Sequence, residues 1–219
     1  MEEHPDGPIK FSIIMSAWED WADLRNAMAC VRLQQYQNWE LIVVCDGQPT
    51  TEAAKIYHKV RKRMGHHRVE IVIADRVEGI WGNRARSIGL DYCTGDYVCW
   101  VNHDNVIFPT YLQRHFDNIA GAKEGGEFGP ISVLNIDTWV ITSRGSHRYC
   151  GVFPEETPRL GGFDLMCMAI PLDLARKVDA FGGSMERIHH ADWLIYEAAS
   201  KATGEVRVPL DCPVDGIHF

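Results

Sequence analysis

A chain of 219 residues with 46% apolar side chains is long enough to bury a full core, and it reads as one domain spanning residues 1–219. No stretch approaches the ~20 consecutive apolar residues of a membrane span, and the polar start MEEHPDGPIK lacks a signal peptide's basic end and apolar core, so a soluble, cytoplasmic protein is expected. A formal net charge of -8 argues against a general nucleic-acid binder, and seven cysteines without paired CxxC spacing argue against a disulfide framework or a zinc site.

Residues 1–10 read as a loose arm. The run FSIIMSA (11–17) has the continuous apolar character of a strand buried on both faces. Leu24, Ala27, Met28 and Val31 then recur at helical spacing. WELIVVC (39–45) is a second strand, ended by Asp46-Gly47. Thr50 or Thr51 caps a helix that runs to Met64, with Gly65 as its stop. The basic run from Lys55 to Arg68 is interleaved with Ile56, Tyr57, Val60 and Met64, so it reads as the solvated face of that helix rather than as a polyanion patch. Val69 to Ala74 forms a third strand. After a loop, Asn83 caps a helix to about Cys93, which Thr94-Gly95 breaks.

YVCWV (97–101) is the fourth strand and runs straight into Asn102-His103-Asp104-Asn105. Pro109 suits the first turn of a helix ending near Ala120. The order β-α-β-α-β-α-β implies a parallel sheet with right-handed crossovers. From Gly121 the texture changes. Residues 131–136 and 139–142 read as extended, 144–148 and 154–162 as polar loops, and 163–170 as a further strand. Residues 171–178 and 191–202 read as helices, and 206–208 as a short strand before the tail DCPVDGIHF. This half is expected to cover the sheet and shape a second ligand's site.

In open α/β sheets ligands sit beyond the carboxyl ends of the strands. That rule gathers Ser16, Asp46 and Asp104, with Arg84 and Arg86 at the start of the third helix. No GxGxxG follows the first strand and no GxxxxGK[ST] loop occurs, so the usual phosphate cradles are missing. A bound diphosphate would then need positive charge from elsewhere, and a metal at Asp104 would supply it. The alternative for residues 102–105 is an Asx-rich turn closing the strand. His189-His190 lacks the spaced partners of a zinc site, and Trp81, Trp139 and Trp193 suit core packing better than sugar stacking.

Four segments, FSIIMSA, LRNAMACVRLQQYQNWELIVVCDG, ARSIG and GDYVCWVNHDNVIFPTYL, stand in order over about residues 11–112 and together resemble a GT-A-fold glycosyltransferase of the family 2 type. The second half matches more loosely, through GGFDLM, HHADWLIYEAA and a terminal histidine. The resemblance implies an α/β fold with a mostly parallel, Rossmann-like central sheet flanked by helices and a smaller antiparallel acceptor-side part. It implies a nucleotide-sugar-binding half over 11–112 and an acceptor-binding half over 121–219. It sets Ser16 and Asp46 against the nucleotide, with Asp46 on the base, and Arg86 near base and ribose. Asn102-His103-Asp104 falls at the D-x-D position, with Asn102 in place of the first aspartate, so Asp104 carries most of the metal binding, aided by His218. Gly161 and Gly162 match the loop near donor sugar and acceptor, and Asp192 matches the catalytic base, with Ala191 where a glutamate is usual.

The implied activity is an inverting, metal-dependent transfer of a sugar from a nucleoside-diphosphate sugar, foremost a UDP-sugar, to an acceptor hydroxyl, with Mg²⁺ or Mn²⁺ as cofactor. The acceptor, whether glycan, lipid-linked sugar, protein or another hydroxyl, is not chosen by the sequence. One rival is a catalytically silent nucleotide-sugar-binding domain, suggested by the carboxylates missing at 102 and 191. Another is a sugar-phosphate nucleotidylyltransferase, whose GxGxRxxPxxK would stand where Ala17-Trp18-Glu19-Asp20 does. For Asp192 the competing role is a helix N-cap, and for His218 a loose terminal residue.

Overall fold

The computed structural model describes residues 9–18, 21–64, 68–75, 82–122, 128–134, 137–142, 145–150, 164–178, 180, 191–203, 206–207 and 216–218. The first half is a run of βαβ units: β1 (Phe11–Ala17), α1 (Trp21–Arg32), β2 (Trp39–Asp46), α2 (Thr51–Arg63), β3 (Arg68–Ala74), α3 (Asn83–Tyr92) and β4 (Tyr97–Asn102). The second half contributes β5 (Val106–Ile107), α4 (Tyr111–Ala120), β6 (Ile131–Val133), β7 (Asp137–Thr142) and β8 (Gly145–Cys150). It continues with β9 (Met168–Pro171), α5 (Leu172–Lys177), α6 (Ala191–Thr203), β10 (Val206–Arg207) and β11 (Gly216–His218).

The main sheet has seven strands in the order β10-β6-β9-β4-β1-β2-β3. β1 pairs in parallel with both β2 and β4, and β2 with β3. β9 is the reversed strand, antiparallel to β4 and to β6. Every residue of β1 is buried, as is all of β2 except its last residue, which is why both read as unbroken apolar runs. Stepping from β1 to β2 to β3 through right-handed crossovers puts α1 and α2 together on one face, where they touch; the return from β3 to β4 puts α3 on the other. A second, four-stranded sheet runs β5-β11-β7-β8 and is antiparallel except where β11 meets β7.

The end of the main sheet remote from the loops after β1 and β4 is held by one buried carboxylate. Glu40 accepts from Ser12 Oγ at 2.7 Å, Lys10 Nζ at 3.0 Å, and the Thr94 N–H and hydroxyl at 2.5 and 2.8 Å. Burial pushes the Glu40 carboxyl up, but these bonds together outweigh it and hold it below its ordinary value. The adjoining Gly95 has no room for a side chain: a Cβ there would lie 2.6 Å from the Lys10 carbonyl and 2.9 Å from the Ser12 nitrogen.

Several sequence expectations are corrected. Residues 144–148, expected as a polar loop, fall largely in β8, an edge strand paired with β7. Residues 163–170 do not form one strand: Leu165–Cys167 is a 3₁₀ turn and the strand begins at Met168. Asn83 is not the cap of α3. Gly82 takes that position at φ +76°, a left-handed conformation that suits glycine, and Asn83 is the first helical residue. Thr50 does cap α2, accepting from the Ala53 N–H at 3.3 Å. The tail, to which the sequence reading assigned no element, contributes β11. Among the described residues, no helix is long and apolar enough to cross a membrane.

Candidate functional site

β4 ends in a tight turn built by two asparagines. The Asn105 N–H donates to the Asn102 carbonyl at 3.1 Å, and the Asn105 Oδ1 accepts the Asn102 N–H at 2.6 Å. The Asx-turn reading of this segment is therefore correct as local structure. The turn is also tied sideways, because the His103 N–H donates to the Ser16 carbonyl at 3.0 Å. It brings the polar residues after β4 against the end of β1.

The Asn102 side chain is oriented by two donors. Its Oδ1 accepts from Ser16 Oγ at 2.9 Å and from Arg86 Nη2 at 2.8 Å. With the oxygen so engaged, the amide NH₂ is the group left to donate to a ligand. Arg86 is itself steadied by donating from Nη1 to Asn83 Oδ1 at 2.8 Å, one turn earlier on α3. Gly82, before that helix, lies beside Ser16, 3.5 Å from where a Cβ would be. Ser16, Arg86 and Asn102 are thus one hydrogen-bonded unit drawn from β1, α3 and β4.

The two neighbouring residues carry unmet polar atoms. The buried Asp104 Oδ1 and Asn105 Nδ2 have no hydrogen-bond partner among the described residues. A buried polar atom left so costs about 1–3 kcal/mol, more when charged, and a ligand that meets it recovers that energy. For Asp104 the complementary ligand is a cation. Among the described residues no three of His, Cys, Asp and Glu gather closely enough to hold a metal alone. A cation at Asp104 would then take its other ligands from water and bound phosphate, the habit of Mg²⁺, which binds through one or two carboxylates plus substrate phosphates. The residues present fit that group.

Beside this unit lies an open cleft of about 290 Å³. Arg86, Asn102 and Asn105 give it polar lining, and Trp100, Leu165 and Met166 give apolar lining. Two carboxylates also line it, Asp164 and Asp192. Asp192 lies inside the first turn of α6 rather than at its cap, where its charge suits the helix N-terminus. Asp164 precedes the 3₁₀ turn and caps it, its Oδ1 accepting the Met166 N–H at 2.8 Å.

The cleft thus gathers Arg86, Asn102 and Asp192 from the expected site residues, with Ser16 bonded to it and His103 and Asp104 in the adjoining turn. Asp46, at the end of β2 two strands from β4, is half-buried and does not line the cleft. His218 sits in β11. The pairing of Gly216 with Ile107 and Ile217 with Val106 brings its backbone, one step further, to the level of Asn105. Gly161, Gly162, Trp81 and His189-His190 lie outside the described residues. Trp193 packs against the core and Tyr196, ring centroids 5.5 Å apart. Sequence reasoning missed Asn83 and Asp164 as parts of the site. An aspartate followed at once by an apolar run was the available signal for the last.

Residues 12–169 match the profile of glycosyl transferase family 2. Among curated relatives, the amylovoran biosynthesis glycosyltransferase AmsB of Erwinia amylovora is 27% identical over 120 residues, 54% of this chain and 38% of that protein. The putative glycosyltransferase EpsE of Bacillus subtilis is 29% identical over 114 residues, 49% of this chain and 37% of its own length. Among solved structures, S. aureus TarS residues 1–349 superpose with TM-score 0.73 at 16% identity, covering 96% of this chain and 60% of that one. The chain therefore spans less than two thirds of the relatives it matches, and the structural likeness is one of fold, that of the GT-A glycosyltransferases. On a profile match over more than half its length, the chain belongs to glycosyl transferase family 2.

Proposed function

We propose that this chain is an inverting glycosyltransferase that moves a sugar from a nucleoside-diphosphate sugar, a UDP-sugar in the first instance, to an acceptor hydroxyl. The observation that carries the reading is a shared cleft: Asn102, pinned by Ser16 and Arg86, faces the same space as Asp192 from the far half of the chain. Solved complexes of fold relatives support the donor class, TarS with UDP-GlcNAc and the mannosyltransferase PcManGT of Pyrobaculum calidifontis with GDP-Man and Mn²⁺. In this reading residues 11–112 serve the donor and 121–219 the acceptor, within one domain.

Ser16 and Asp46 lie along the nucleotide, Asp46 accepting from the base. Arg86 and the Asn102 NH₂ meet ribose and phosphate, beside the His103 turn, and Gly161-Gly162 approach the donor sugar. Asp104, with His218, would hold Mg²⁺ or Mn²⁺, which when bound offsets charge on the departing diphosphate. Asp192 takes the acceptor's proton as the acceptor oxygen bonds to the anomeric carbon from the side opposite the diphosphate. The bond to the diphosphate breaks with its electron pair, and the configuration inverts. The acceptor is a glycan, lipid-linked sugar, protein or other hydroxyl. A cytoplasmic setting suits the buried free thiols of Cys45, Cys93, Cys99 and Cys167.

The test is thermal stabilisation by UDP in the presence of Mn²⁺. At about 100 times its Kd, UDP should add about 2.7 kcal/mol to wild-type stability. That gain should shrink in Arg86→Ala and Asp104→Ala. Absence of a shift with UDP, GDP or their sugars would overturn the reading.

A further inference from the structure

We infer that the Asn105 side-chain NH₂ donates a hydrogen bond to the diphosphate of the nucleotide sugar, a contact separate from any cation held at Asp104. The inference rests on the nucleotide-sugar reading above and adds a further residue of the turn after β4 to the donor site.

The two ends of the Asn105 amide are not alike. Oδ1 accepts the Asn102 N–H at 2.6 Å, and the Asn105 N–H returns a bond to the Asn102 carbonyl at 3.1 Å. The Asn102 N–H needs an acceptor, so the amide has one orientation, and the NH₂ takes no part in that bond. Nδ2 is buried and has no hydrogen-bond partner among the described residues. The whole residue is 1% exposed, yet it lines the cleft with Arg86, Asn102 and Asp192. Bulk water does not reach the NH₂, so its donor capacity is left for a group seated in that cleft.

The turn itself does not explain the amide. Aspartate closes an Asx turn as asparagine does, since only the side-chain oxygen takes part. Asparagine adds a neutral donor, and Asp104 beside it indicates its use. Asp104 Oδ1 is likewise buried without a hydrogen-bond partner among the described residues, but its need is the opposite one. Two consecutive residues of one turn thus present an anion that calls for a cation and an amide that calls for an acceptor. A cation-bound diphosphate offers both from adjacent atoms. Hydroxyls of ribose or sugar could bond to both residues but would leave the Asp104 charge without a counter-ion. Phosphate oxygens also accept the more strongly, because they carry charge.

Two substitutions remove the donor and keep an acceptor for the Asn102 N–H. Asn105→Asp is nearly isosteric, and Asn105→Ser offers a shorter oxygen without adding charge. Binding of UDP, and of uridine, which lacks the diphosphate, would be measured by ligand-observed NMR in Mg²⁺ and in EDTA. UDP affinity should fall about 10-fold in Asn105→Ser and about 100-fold in Asn105→Asp, in both buffers. Uridine affinity should stay within about twofold of wild type in both variants. A loss confined to Asn105→Asp would mean charge repulsion without a hydrogen bond, and a loss confined to Mg²⁺ would mean an effect through the cation. Equal weakening of UDP and uridine would mean that the amide serves the nucleoside or the turn alone. Any of these, or unchanged UDP affinity in both variants, would overturn the inference and leave the transferase reading intact. A wild-type chain that binds neither UDP nor GDP would bring down both.

Discussion

Asn102 is a neutral amide at the position where the family resemblance implies an aspartate. Two donors, Ser16 and Arg86, converge on its oxygen, so it acts as a hydrogen-bond hub while Asp104 supplies the anion nearby. Asn102→Ala removes the acceptor that orients Arg86 and should weaken UDP binding about 10-fold, as read by calorimetry; unchanged affinity would mean that Arg86 needs no orienting. His115 makes a separate residue-scale prediction. It is fully buried on α4, with Nδ1 2.8 Å from Ser132 Oγ and Nε2 lacking a hydrogen-bond partner among the described residues. Burial, and next the Arg114 charge, bring its pKa down to about 3. The unfolded chain takes up that proton near pH 6.5, so from there down toward pH 3 it holds one proton more than the folded chain. Stability therefore falls as pH drops through that window, with a limiting slope of about 1.4 kcal/mol per pH unit, and His115 adds no pH dependence above it. Denaturation of wild type and His115→Gln at pH 7.5 and 5.5 should show the gap between them shifting against wild type at the lower pH; a constant gap contradicts the assignment. Neither this buried histidine nor the Asn83 contact to Arg86 was legible in sequence, because a lone polar residue in a helix gives no pattern until its partners from other elements are known.

At the scale of elements, the knot of Glu40, Lys10, Ser12 and Thr94 binds the loop before β4 to the start of β1 and β2. Glu40→Ala leaves the buried Ser12 hydroxyl and the part-buried bonds from Lys10 and Thr94 without their acceptor, and should cost about 3 kcal/mol in a urea titration. The carboxyl's folded pKa is depressed, so its contribution is full above the ordinary carboxylate range and lost as pH falls through the folded value. Gly95→Ala drives a Cβ into backbone atoms that have little freedom to yield, and about 2–3 kcal/mol of destabilisation is expected. A loss under 0.5 kcal/mol for either would show the knot to be slack. Sequence patterning located β1, β2 and β4 within a residue or so, since strands buried on both faces are continuous apolar runs, and it placed the apolar edge strand β3 as closely. It failed at β8 because an edge strand can be polar and still satisfy its backbone through β7. It failed at 163–170 because a capped 3₁₀ turn and a strand share one hydropathy.

At the scale of the molecule, the residues proposed to serve the donor come from one continuous half of the sequence, and the rest of the proposed site does not. β5 and β11 come from segments far apart in the chain, and their pairing, which sets His218 level with Asn105, has no local signature. The same holds for Asp164 and Asp192, which line one cleft only because β9 turns back along β4 and α6 follows. Motif order over the first half was enough to identify the family; the cleft itself needed the topology. The most direct measurement is release of UDP from UDP-sugars in Mn²⁺ by wild type and by Asp192→Asn. The account predicts slow release by wild type, a decrease of about 10²–10⁴-fold in the variant, and UDP affinity within about twofold between them. Equal release by both proteins, or tight UDP binding by wild type with no release at all, would contradict it.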